Sequence, residues 1–150
     1  MKKIILALVI SIFMVSVSFA AGHSAKEAKE LVDKAVIYIK DNGKDKALTE
    51  FNNPSGAFST GGLYIFAIDF NGIALANGAT PDLVGKDLKG LKDSQGRLFT
   101  VEMIKLAKSK KGKGWINYNW LNKETKKVEP KASYIRRVDH YFVGCGITIK

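Results

Sequence analysis

The chain has 150 residues, room for one domain with one core, and its 24 Lys and Arg against 14 Asp and Glu leave a net charge of +10. One cysteine, Cys145, excludes an intramolecular disulfide, and the two histidines have neither a helical His partner nor a cysteine at ligand spacing, so no zinc-ligand pattern is present. The basic balance alone would admit nucleic acid, but the first residues signal export, which turns the expectation to an anionic envelope surface or acidic small solutes.

Lys2 and Lys3 form a positive n-region, and residues 4–20 are apolar apart from three serines. The run is short for a spanning helix and ends in the small residues Ser18 and Ala20, so residues 1–20 read as a signal peptide and the mature chain begins at Ala21. No other segment is apolar enough to span a bilayer, so the mature product is expected in the periplasm or secreted, not membrane-spanning. Cleavage leaves 130 residues and a charge of 22 − 14 = +8. An uncleaved anchor is the alternative.

Ser24 and Glu27 make a capping box, and Ala28, Leu31, Val32, Ala35, Tyr38 and Ile39 recur at helical spacing until Asn42-Gly43 stops the run. This predicts a helix close to 20 residues, lying along a sheet. A short second helix follows over residues 45–51, ended by Asn53-Pro54. Residues 63–70 are a nearly unbroken β-prone run, Asn71-Gly72 gives a hairpin turn, and residues 73–76 return. The segment 77–96, with Pro81, Gly85, Gly90 and Gly96, reads as a long functional or mobile loop. Residues 97–108 read as a helix with Phe99, Met103, Ile104 and Ala107 inward. Strands follow over 114–120, 132–138 and 141–149, the last two joined by Asp139-His140. Short connections make neighbours antiparallel, so the fold class is α+β with about five strands and one domain.

Chemistry concentrates in residues 114–146. Alternation puts Ile116, Tyr118 and Trp120 on one face and Trp115, Asn117 and Asn119 on the other. Tyr and Trp combine an apolar body with a donor, and Lys131 adds a charge, a set able to hold a small carboxylate. The same pattern also fits ordinary core aromatics. Cys145, between Gly144 and Gly146 in an apolar strand, reads as an inert buried thiol. Asp69, Asp87 and Asp93 read as turn carboxylates. There is no haem attachment motif, phosphate-cradling glycine loop or serine elbow, so neither catalytic nor metal-binding residues nor a cofactor are expected.

The succession Y-x-F-x-x-D-x-N-G, P-D-L-V-G-K-D-L-x-x-L-K-D-x-x-G-x-x-F, G-W-I-N-Y-N-W, K-A-S-Y and V-G-C-G-I resembles the single Cache domains of bacterial sensors, from Lys26 to Ile147. The resemblance implies a PAS-like five-stranded antiparallel sheet behind a long N-terminal helix over residues 21–150. It also implies an extracytoplasmic place and recognition of small ligands, often short organic acids. Cache domains usually sit between membrane helices in chemoreceptors or histidine kinases; a chain ending at Lys150 is similar to the free-standing, secreted members. Asn77 stands where many members have a histidine, which removes any histidine-dependent contact.

Carried over by position, the resemblance makes Tyr64, Phe66, Tyr118, Trp120, Lys131 and Tyr134 the ligand-binding set. Alternation places Lys131 and Tyr134 on opposite faces of a regular strand. Pro130 suggests that the strand begins only after Lys131, leaving the lysine free to turn inward. Three readings follow. The first is a periplasmic sensory module for a small carboxylate. The second is an interaction module docking on a membrane receptor or sensor kinase with a vestigial pocket. The third is an enzyme whose site the sequence does not reveal. An enclosed cavity with converging polar groups favours the first, and an exposed apolar patch over a filled core the second.

Overall fold

The computed structural model describes residues 22–122 and 125–149. The expected signal peptide lies outside them. Among the described residues no helix is long and apolar enough to cross a membrane.

Helix α1 (Ala25–Asn42) starts at the anticipated capping box: Glu27 N donates to Ser24 Oγ (3.2 Å) and Ser24 N to the Glu27 carboxylate (2.7 Å). It buries Ala28, Val32, Ala35, Val36 and Ile39 and ends where Gly43 takes φ 83°, which favours glycine. Helix α2 (Lys44–Phe51) follows directly and buries Ala47 and Phe51.

The expected strand over 63–70 is divided. Strands β1 (Ser59–Thr60) and β2 (Leu63–Tyr64) form a small hairpin across Gly61-Gly62, while β3 (Phe66–Asp69) joins the main sheet. Ile65 sits at the break, donating to Phe58 O and accepting from Gly78 N, both at 3.0 Å. Across Asn71-Gly72 the chain returns as β4 (Ala74–Asn77). Asp69 Oδ1 fixes that turn by accepting from the backbone of Asn71 and Ile73, each at 2.9 Å.

The long segment after β4 is stitched to that strand. It carries a 3₁₀ turn (Pro81–Leu83), a bridge between Ile73 and Asp87, and backbone bonds from Gly85 N to Ala74 O and Leu88 N to Gly72 O, both 2.8 Å. Helix α3 (Phe99–Lys108) starts two residues later than expected, because Asp93 Oδ1 captures the N–H of Arg97 in a turn (2.9 Å). The Arg97 guanidinium pairs with Glu102 and donates to Asn117 O (2.6 Å).

Strands β5 (Lys113–Leu121), β6 (Val128–Val138) and β7 (Tyr141–Thr148) complete an antiparallel sheet in the order β4-β3-β7-β6-β5. Asp93 and Arg97 satisfy Asn119 N and Asn117 O on the outer edge of β5, which blunts that edge against pairing with another chain. Each face of the sheet has its own core. Val32, Phe51, Ile65, Tyr134, Val143 and Cys145 pack on the α1 side, and Phe66, Phe99, Met103, Tyr118, Ile135 and Phe142 on the α3 side.

Candidate ligand-binding site

The α3 side of the sheet is where the chemistry gathers. On β5, Tyr118 and Trp120 point to this face, and across the ladder Tyr118 stands opposite Lys131 and Trp120 opposite Glu129. Phe99, from the first turn of α3, stacks on Tyr118 with centroids 4.6 Å apart and the planes within 10°. Trp120 meets both rings edge-on, at 6.0 and 6.4 Å. The Tyr118 hydroxyl and Ser133 Oγ share a buried hydrogen bond of 2.8 Å.

Lys131 lies within β6, which runs in register from Val128 through Pro130, so the expected late strand start is not observed. Proline is tolerated there because its nitrogen shares the strand edge on which Pro130 O accepts from Ile149 N (2.9 Å), beyond the last residue of β7. The lysine turns inward nonetheless. Alternation places it on the face of Ser133, and its Nζ donates to the Tyr64 hydroxyl at 3.0 Å. The ammonium sits over the Tyr64 ring (4.9 Å to the centroid) and beside that of Trp120 (5.9 Å). Burial acts to lower its pKa, but the Tyr64 and Tyr118 hydroxyls outweigh that, and the net direction is upward. Lys131 is therefore charged at neutral pH. Among the described residues no carboxylate forms an ion pair with it.

Tyr134 does not join this group. It points to the opposite face, buried against α1 and beside the Trp115 ring at 5.3 Å. The physical reason is the two-residue period of a regular strand: Lys131, Ser133 and Ile135 share one face, while Ala132, Tyr134 and Arg136 share the other. Beside Lys131, the residue of K-A-S-Y that faces the site is Ser133. The same alternation could have identified it from sequence once Lys131 was placed inward.

Two spaces open on this face, divided by Tyr64 and Trp120, which line both. The inner one is a chamber of about 40 Å³ among Phe66, Leu88, Phe99, Met103 and Tyr118. Buried Thr100 also lines it, and its hydroxyl makes no hydrogen bond within the described protein. The outer one is a groove of about 490 Å³ lined by polar groups that include His23, Ser59, Thr80, Glu129 and Lys131. Of the six residues expected to bind ligand, Phe66 and Tyr118 face the chamber and Lys131 the groove. Tyr64 and Trp120 face both.

Gly146 makes the inward lysine possible. A Cβ there would lie 2.6 Å from Ser133 Oγ and 3.2 Å from Lys131 Cε. Asn77 serves the backbone instead of the groove, its carboxamide oxygen accepting from Ala79 N (3.1 Å) and Thr80 N (2.8 Å). Cys145 is fully buried on the α1 side, and burial pushes its thiol up to about 11. It is therefore a protonated packing residue, remote from nucleophilic chemistry. The described residues contain no group of three His, Cys, Asp or Glu able to hold a metal.

Three solved structures share this architecture, each aligned over 83% of the chain. A methyl-accepting chemotaxis protein from Vibrio parahaemolyticus RIMD 2210633 is 26% identical, with 88% of its chain covered and a TM-score of 0.69. A periplasmic sensor domain of a chemotaxis protein is 22% identical (90% of its chain, TM-score 0.65). A Cache chemosensory domain whose structure is described as the basis for carboxylic acid recognition is also 22% identical (88% of its chain, TM-score 0.64). The sequence matches the family described as Single Cache domain 2 over residues 6–150, a span that begins inside the N-terminal apolar segment. With its long α1, its antiparallel sheet and a match across nearly its whole length, the chain belongs to the single Cache domain family.

Proposed function

We propose that this chain is an extracytoplasmic sensory module that binds a small carboxylate and performs no catalysis. One observation carries the reading: the half-buried Lys131 ammonium has no carboxylate partner among the described residues. An ammonium has three donors, and Tyr64 takes one, so the others are available to an anion entering the groove. Tyr64 and Trp120 shield the charge from water on one side, which strengthens its attraction for such an anion. The groove volume falls in the range of small-molecule sites, whereas the inner chamber holds only one or two water-sized groups. The carboxylic acid recognition described for a structural neighbour agrees with this ligand class.

The reading is tested by calorimetric titration of wild type, Lys131→Met and the surface control Lys110→Met with short organic acids, from acetate to succinate, at two salt concentrations. Losing a charge-assisted hydrogen bond costs about 1.5–3 kcal/mol, so Lys131→Met binds roughly 10- to 100-fold more weakly. The control stays within about twofold at either salt concentration, because an exposed lysine contributes only screened, long-range attraction. Equal affinities for wild type and Lys131→Met would remove the carboxylate from the assignment.

A further inference from the structure

The groove holds a second charge of opposite sign. Glu129 precedes Lys131 by two residues on β6, so both side chains leave the same face and line the same space. Their Cα atoms are two residue steps apart along the strand, about 7 Å. Oppositely charged neighbours at that spacing commonly close on each other, yet these two form no ion pair. Each is held by neutral groups instead. Lys131 donates to the Tyr64 hydroxyl, while Glu129 accepts from Asn122 Nδ2 at 3.2 Å and Thr125 Oγ1 at 3.3 Å. Among the described residues, no cation pairs with Glu129.

A simple carboxylate entering this groove meets attraction from Lys131 and repulsion from Glu129. A ligand with a carboxylate at one end and an ammonium at the other satisfies both. The remaining ionisable group at the groove, His23, is already engaged: its Nε2 contacts Gly61 O and its Nδ1 lies 3.6 Å from Glu27. Resting on the carboxylate reading above, we infer that the groove is built for a small zwitterionic amino acid, with Lys131 on its carboxylate and Glu129 on its ammonium.

Matched pairs of ligands separate this inference from the reading beneath it: glycine with acetate, β-alanine with propionate, and γ-aminobutyrate with butyrate. Each is titrated calorimetrically into wild type, Glu129→Gln and Lys131→Met, all first shown to melt cooperatively. Gln keeps the volume, its carboxamide oxygen can accept from Asn122 Nδ2 and its NH2 can donate to the Thr125 hydroxyl, so it removes the charge while both contacts persist. At least one amino acid should bind wild type about tenfold tighter than its deaminated partner. Glu129→Gln should abolish that advantage without weakening the deaminated acid, a selective loss that a merely structural role for Glu129 would not produce. Lys131→Met should weaken both members of the pair. If the deaminated acids bind wild type as tightly as the amino acids, or if Glu129→Gln leaves the advantage intact, the zwitterion inference fails. The carboxylate reading then survives provided Lys131→Met still weakens the acids. If no member of any pair binds wild type, both fall together.

Discussion

Gly146→Ala tests how the site is built into the sheet. Gly146 has no positive φ, so the backbone accepts alanine and the cost is purely spatial. The new methyl would stand 2.6 Å from Ser133 Oγ and 3.4 Å from Lys131 Nζ. Lys131 can move its flexible end toward the groove, but Ser133 is fully buried in a central strand. Its hydroxyl must rotate away and release the Tyr118 hydroxyl, leaving a buried polar pair unsatisfied at about 1–3 kcal/mol. Replacing Gly by Ala offsets about 0.4–1 kcal/mol of that through the unfolded chain. The net destabilisation is about 1–2 kcal/mol, or roughly 3–10 °C in thermal midpoint for a domain of this size. Gly144→Ala should cost at least as much, because its methyl would meet the buried Phe66 ring, with Cε2 at 2.8 Å, and Ile135 Cγ2 at 3.0 Å. Gly90, with nothing within 4 Å and no positive φ, should tolerate alanine within about 0.5 kcal/mol. The assay is urea and thermal denaturation of the three variants beside wild type, followed by titration with the best ligand. A Gly146→Ala protein as stable as wild type and binding equally well would refute the packing argument.

Two further outcomes are expected. Burial acts to raise the pKa of Asp33, but its hydrogen bonds to Lys29 and Arg136 outweigh this and hold it below the ordinary value. A depressed folded-state pKa gives stability that is present above the unfolded value, about 3.9, and lost as pH falls through the folded one. Urea midpoints from about pH 6 to about pH 2 should therefore fall less steeply for Asp33→Asn than for wild type, and parallel curves would exclude the linkage. We also propose cleavage before Ala21; intact mass of envelope-fraction protein should lack residues 1–20, and a mass retaining them would mean an anchored chain.

Local rules carried most of the fold. The capping box, the apolar stripe of α1, the Asn71-Gly72 turn and the period-2 face of β5 each depend on residues close together in sequence, and each stands where its pattern predicted. The departures come from specific backbone partners that side-chain propensity does not specify, some of them only a few residues away. The break at Ile65 arises because β1, a few residues upstream, takes Leu63 and Tyr64 as its own partners, which no propensity encodes. The late start of α3 comes from Asp93 capturing Arg97 N, and the ordering of residues 77–96 from backbone bonds to β4. Within the site, the shared face of Tyr118 and Trp120 follows from alternation, whereas Lys131 turns inward from within a regular β6 and not from the late strand start that Pro130 suggested. Tyr134 faces α1 because β6 is regular through Pro130, so Ser133 and not Tyr134 shares the face of Lys131. Glu129 precedes the strand expected over residues 132–138, so nothing in the sequence pattern ties it to the site. Its relation to Lys131 appears only when β6 extends back to Val128.

The two faces of the sheet use side-chain volume in opposite ways, and this is what makes a site compatible with a stable domain of this size. On β7, Tyr141, Val143 and Cys145 fill the α1 side with buried side chains. The α3 side of the same strand carries Phe142, then Gly144, then Gly146, so the wall thins along the strand from a packed ring to bare backbone. Phe66 occupies the space that Gly144 leaves, and Lys131 with Ser133 occupies the space at Gly146. Ala74 and Ala76 repeat the device on β4 beside the inner chamber. Small residues at these positions forfeit apolar burial on that face, at about 25 cal/mol for each Å² not removed from water. The close-packed α1 side, with Val32, Ala35, Ile65, Val143 and Cys145 all at 0% exposure, supplies burial the ligand side lacks. Enlarging the residues of the hollowed face should therefore trade recognition for packing, whereas truncating the α1 face should lower stability and leave the groove chemistry intact.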